Sequence, residues 1–165
     1  ATQGDKTSKV YMKNLYVSGT PQFAGTFGVR YFIDYWFLGA NLNAFGRNYI
    51  DVAPARRMEG IYNTVDPTLP ETMDTYYAMT TQERIGSACT LDLSVGKIFY
   101  LRNRQSINFN LSVNNVLNKR DIRTGGYEQA RVFASDGALV NPALFPNKYY
   151  YMQGINCFAN ISYRF

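Results

Sequence analysis

The sequence has no histidine, only two cysteines and a single tryptophan, and no apolar run of the length a membrane helix needs. Without His, the Ser-His-Asp and Cys-His nucleophile arrangements and every His-ligated metal site are excluded. Cys89 and Cys157 sit in no CxxC or Cys/His cluster. Both are expected as unpaired apolar side chains, with a cross-strand disulfide as the minor alternative. A transmembrane helix would take about 18 consecutive apolar residues, and a signal peptide would take a charged-then-apolar start; neither is present, so any export signal is expected upstream or already removed. A β-barrel needs no such run, because each strand spends about 9 to 11 residues in the membrane and turns half of them inward. There is no P-loop, zinc motif or nucleophile elbow. Asp66, Glu71 and Asp74 are the nearest approach to a carboxylate pair and read as solvated and capping acids. No catalytic residue, cofactor or metal ligand is expected, and the chain does not read as an enzyme.

What is abundant is aromatic: 14 Tyr and 11 Phe in 165 residues. Tyr joins an apolar ring to a wet hydroxyl, which suits a membrane interface. The net charge of +5 is modest, and the clusters Arg56-Arg57, Lys119-Arg120 and Arg123 fall between strands. They read as solvated loop charge, or as contacts to lipopolysaccharide or an acidic ligand. Basic residues are not gathered on one element, so nucleic acid is not an expected partner.

Period-two alternation is the clearest signal. The last eleven residues put Ile155, Cys157, Ala159, Ile161, Tyr163 and Phe165 on one face, and Asn156, Phe158, Asn160, Ser162 and Arg164 on the other. Residues 105–117 repeat this, with Ile107, Phe109, Leu111 and Val113 opposite Ser106, Asn108, Asn110, Ser112 and Asn114. Six strands are expected, at about 9–18, 22–32, 35–50, 88–101, 105–117 and 149–165; the first is the weakest. In 88–101 the alternation blurs after Lys97, and a bulge is expected there. Ile33-Asp34 and Arg102-Asn103-Arg104 are expected tight turns, whereas 51–87 and 118–148 are long loops.

Short turns at one end and long loops at the other are the pattern of an outer-membrane barrel, with the long loops extracellular. The Gly19-Thr20-Pro21 turn must then lie on the outer side despite being short. Two capping boxes, Thr68-Leu-Pro-Glu71 and Thr80-Thr-Gln-Glu83, predict helical turns near 69–79 and 81–85. The second long loop carries Gly125-Gly126 and Asp136-Gly137 and is expected to be irregular. The expected fold is therefore all-β, an antiparallel transmembrane β-barrel segment of about six strands over residues 1–165, with short helical turns in a long outer loop. Six strands cannot close a barrel, since about eight is the smallest number, so the segment is incomplete on its own.

Several stretches resemble the carboxy-terminal barrel region of TonB-dependent outer-membrane receptors. They are Val17-Ser-Gly-Thr-Pro-Gln22, Tyr35-Trp-Phe-Leu-Gly-Ala-Asn41, Asn48-Tyr-Ile-Asp51 with Pro54-Ala-Arg-Arg57, and Leu111-Ser-Val-Asn-Asn-Val-Leu-Asn118. Gly125-Gly-Tyr-Glu-Gln129 and Phe145-Pro-Asn-Lys-Tyr-Tyr-Tyr151 add to them, so the likeness runs from about Val10 onward. The resemblance implies energised nutrient uptake at the bacterial outer membrane. Implied partners are outer-membrane lipid and lipopolysaccharide, the remainder of the barrel with its plug (from the same gene or a companion chain), and TonB acting through that plug. The barrel-assembly machinery, a nutrient ligand and, as an optional companion, a surface lipoprotein complete the set. No plug or TonB-contacting segment matches within these residues, so the chain supplies only the last barrel strands.

Under the resemblance Ile161, Tyr163 and Phe165 match the terminal assembly signal, read by strand addition. Arg56, Arg57, Tyr76, Tyr77, Tyr127 and Tyr149 are the candidates for ligand contact in the outer loops, because aromatics and Arg dominate binding hot spots. The alternative is a structural or adhesive outer-membrane barrel component of a multi-subunit complex, without transport. A soluble lectin-like sandwich ranks third.

Overall fold

The computed structural model describes residues 8–66, 68–133 and 138–165. In chain order they form β1 (Phe23–Ile33), β2 (Trp36–Gly46), β3 (Asn48–Tyr49), α1 (Glu59–Tyr62), α2 (Pro70–Thr80), β4 (Arg84–Ile85) and β5 (Ala88–Tyr100). β6 (Ser106–Asn114), β7 (Arg123–Tyr127), β8 (Lys148–Tyr151) and β9 (Asn156–Arg164) follow, with three short 3-10 turns between them. The fold is mostly antiparallel β-sheet, and no described helix is long and apolar enough to cross a membrane, a test that does not bear on strands. The expected Asp136-Gly137 turn lies outside the described residues.

The chain divides into two units. One comprises 21–48, 86–124 and 151–165; the other comprises the residues up to Thr20, 49–85 and 125–150. The first is a single five-stranded sheet in the order β1-β2-β5-β6-β9, every neighbouring pair antiparallel. β1 and β9 are its edges, with no further strand beside either among the described residues.

Five long strands stand where six were expected. Residues 9–18 form no strand: Asn14 turns the chain at φ 63°, and Val10 makes only an isolated bridge to Met58. The expected strands 35–50 and 149–165 each divide, because β2 stops at Gly46 ahead of Arg47 (φ 53°) and β8 stops at Tyr151, well before β9 begins. The first hairpin turns on Asp34-Tyr35, not Ile33-Asp34. Both residues have positive φ (45° and 64°), the geometry that follows the right-handed twist of the flanking strands. Tyr35 accepts this conformation, unusual for a bulky residue, while its ring packs edge-on against Tyr100 at 5.0 Å.

β6 ends at Asn114 because Asn115 enters the left-handed region at φ 51°. Buried at 4% exposure, Asn115 donates through Nδ2 to the carbonyls of Lys119 and Gln153 (2.9 and 3.0 Å) and accepts from the Lys119 amide. Its own amide donates to Asp92 Oδ1 at 2.8 Å. Asn118, also left-handed, accepts from the Ile155 amide at 3.0 Å and so pins the entry to β9. The Asn-Asn-Val-Leu-Asn stretch is thus a folding device that stops one strand and starts the next.

The second unit is ordered rather than loose. Ile61, Tyr76 and Met79 form a small core, with Val65, Val132 and Leu139 against it. α2 does lie near the first expected helix, but Leu69 occupies the N-cap and makes no side-chain cap bond; Pro70 starts the helix instead. Thr68 is spent on Asp66, its hydroxyl and amide donating at 2.6 and 2.9 Å. The second expected helical turn is absent: the chain leaves α2 at Thr81 in extended conformation and enters β4.

Candidate functional site

Register across the sheet decides which side chains share a face, because directly paired residues point the same way. Val29 pairs Ala40, which pairs Leu93, then Val113, then Cys157. Tyr31, Leu38, Val95, Leu111 and Ala159 form the next row, and Ile33, Trp36, Lys97, Phe109 and Ile161 the next. One face is therefore apolar across all five strands, Lys97 excepted. It is also uncovered: Phe27 is 69% exposed and Ile161 71%.

The other face runs through Thr26, Asn43 and Thr90, then Gly28, Asn41 and Asp92, and Arg30, Gly39, Ser94, Ser112 and Phe158. Its side chains bond to one another. Thr26 donates to Asn43 Oδ1 (2.9 Å), Asn43 donates to Asp92 Oδ2 (2.7 Å), and Asn114 donates to Asn156 Oδ1 (3.0 Å). Gly96 leaves space that the Asn110 side chain opposite it fills.

No bulge interrupts β5 at Lys97; the register is continuous from Ala88 to Tyr100. The alternation blurs because Lys97 stands on the apolar face while Ile98 and Tyr100 stand on the other, opposite Asn108 and Ser106; the Lys97 ammonium is 4.3 Å from the Trp36 ring centre and 5.3 Å from that of Phe99. That geometry is a cation–π contact. Cys89 and Cys157 are both free, and a disulfide between them is excluded by β6, which lies between their strands.

The arginine pair expected at the loop surface is inside. Arg56 and Arg57 are each 2% exposed. Arg57 holds Glu128 in a two-pronged ion pair (2.6 and 2.8 Å) and donates further to the carbonyls of Thr80 (2.6 Å) and Ala53 (3.3 Å). Glu128 also accepts from the Ala53 amide at 3.0 Å. One ion pair thus ties together the 53–57 turn, the end of α2 and the segment after β7.

Arg56 has no such partner: its Nε and Nη2 are buried without a hydrogen bond. Burial lowers its basicity below that of ordinary arginine, with Glu128 opposing the shift and Arg57 adding to it. Tyr76 is buried too, which raises its phenol above the usual tyrosine value. Tyr149 is half-buried and donates to Glu83 (2.7 and 3.0 Å), which also accepts from Asn147 at 2.7 Å.

Of the six ligand-contact candidates only Tyr77 and Tyr127 present exposed rings. Arg56, Arg57 and Tyr76 are corrected to interior positions. Tyr127 lies 6.0 Å from Tyr150, and both line a groove of about 390 Å³ with Asp51, Pro54 and Ala55. Of the assembly-signal residues, Ile161 and Tyr163 lie on the apolar face of β9 opposite Phe109 and Ile107, and Phe165 is 95% exposed just beyond the strand.

The sequence assigned no contact role to Glu128 or Lys97 and read Glu83 as a helix cap, whereas Glu83 accepts from Tyr149 and Asn147. Lys97 carried a visible signal, a charge at an apolar parity position. Glu128 carried none, since its partner lies 71 residues away. Compared with protein-family models, curated proteins and solved structures, the chain finds no match.

Proposed function

We propose that this chain is a barrel sector of a TonB-dependent outer-membrane receptor, supplying five of its strands and two outer loop segments for energised nutrient uptake. The observation that carries the reading is the exposed apolar face that runs across five strands with Lys97 as its one charged paired position. A soluble protein rarely leaves so broad an apolar surface bare, whereas lipid covers such a face without any protein layer.

Connectivity supports the same reading. In an antiparallel meander, the long segments after β2 and β6 leave from one end of the sheet, and the tight turns after β1 and β5 close the other. The two unpaired edges call for further strands from elsewhere in the receptor, because bare edges in lipid cost several kcal/mol per unpaired backbone group. The other face, where Thr, Asn and Asp side chains hydrogen-bond to one another beside Phe37 and Phe158, suits a wet lumen or a packed plug. Tyr127 and Tyr150 are the aromatic surface on which the outer segments would meet a ligand.

The test is extraction of native outer membranes with detergent, followed by the intact mass of the polypeptide and its companions. A species several times heavier than 18.8 kDa, or this chain held to a plug-bearing piece, supports the reading. A detergent-free monodisperse chain of this mass overturns it.

A further inference from the structure

We propose that Lys97 and the groove beside it form a binding site for one anionic phospholipid at the turn end of the sheet. The inference rests on the membrane reading above and adds a ligand to the lipid face. Two independent observations meet here. Lys97 is the only charged residue among the paired positions of the apolar face, and no carboxylate shares that face to neutralise it. Immediately along the strands lies an apolar groove of about 450 Å³, lined by Val29, Leu38, Ala40, Leu93, Val95 and Leu111.

The spacing suits a single lipid. Lys97 pairs Trp36, and one row further from the turn Val95 pairs Leu38 at the groove wall. Two residues of strand separate these rows, about 7 Å. A phosphate on the ammonium would therefore leave an acyl chain running away from the turn into the groove.

The level is right for a headgroup as well. Trp36 is the first residue of β2, and Lys97 stands three residues before the end of β5. Tyr31, Tyr35, Trp36, Phe99, Tyr100 and Tyr163 gather at this end of the sheet, as aromatics do at a membrane interface. Trp36 and Phe99 hold the ammonium at the ring faces without satisfying its hydrogen bonds, so its donors remain available to phosphate oxygens. In the orientation with the long segments outside, this end faces the periplasmic leaflet, where phospholipid is the available anion.

The test uses the whole receptor containing this chain, purified in neutral detergent and titrated with phosphatidylglycerol under native mass spectrometry. Lys97→Gln should weaken binding at one site about fivefold, the effect of one Lys near an anionic surface, and Lys97→Arg should retain it. Exchanging phosphatidylglycerol for diacylglycerol on the unaltered receptor should lower affinity by a similar factor, which keeps the test decisive should Lys97→Gln fold poorly. Bromine-labelled acyl chains should quench Trp36, read as the difference from Trp36→Phe. Equal binding by Lys97→Gln and the parent, with the protein still floating with membranes, overturns the site and leaves the barrel reading standing. Failure of the parent to float with membranes overturns the barrel reading itself.

Discussion

Replacing Glu128 with Gln should loosen the segment that contains the arginine pair while leaving the sheet intact. The substitution keeps the side chain's shape but removes its charge, and it turns an amide NH₂ toward a guanidinium that has no acceptor. Arg57 then keeps at most one of its two short bonds to this side chain (2.6 and 2.8 Å), and the remaining guanidinium charge is buried at 2% exposure. Breaking a buried pair from one side costs about 3–5 kcal/mol. The local core of Ile61, Tyr76 and Met79 is too small to absorb that loss. Limited proteolysis of the purified protein measures it, because the cleavage rate follows the population of the locally open form. Cuts within 49–85 and 125–150 should accelerate more than a hundredfold, the factor equivalent to about 3 kcal/mol, with cleavage within the five-stranded sheet unchanged. Acceleration below about fivefold would refute the reasoning. So would a double variant, Arg57→Met with Glu128→Leu, that is no more stable than Glu128→Gln.

Other substitutions probe the remaining parts. Arg56→Met should leave stability unchanged or raise it in the same protease assay, since it removes a buried charge that has no hydrogen bond on Nε and Nη2; a clear loss of stability would contradict this. Asn115→Ala should cost about 2–4 kcal/mol, from unmet buried carbonyls and the left-handed backbone. Asn115→Gly should recover only the backbone part, and equal losses in thermal unfolding would contradict the assignment. On β6, Leu111→Arg should impair membrane insertion by about 2–4 kcal/mol while Ser112→Arg is tolerated; equal insertion of the two would contradict the assigned faces.

The sheet was legible because its two faces differ in polarity, and that difference imposes a period of two that survives residue by residue. Residues 107 to 113 could be placed on their faces before any register was known. Interior positions in the loop segments were not legible, because charge reads as exposed and only three-dimensional proximity reveals a partner. Arg57 looked like a ligand contact until Glu128 closed on it. The Thr68 capping box failed for a local reason: Asp66 captured the hydroxyl, and Pro70 could start the helix without it. The blur after Lys97 was legible but misattributed to a bulge, because Lys97 on the apolar face and Ile98 and Tyr100 on the other disrupt the pattern without disrupting the backbone.

The most direct test of the two-faced sheet is a nitroxide scan of β6 in the protein reconstituted with lipid, one cysteine at a time from Ile107 to Val113, after removal of Cys89 and Cys157. A barrel sector gives high oxygen collision rates at 107, 109, 111 and 113 and high rates for a water-soluble nickel complex at 108, 110 and 112. Nickel access at every position, or probes at the odd positions shielded from both reagents, would contradict a lipid-facing sheet.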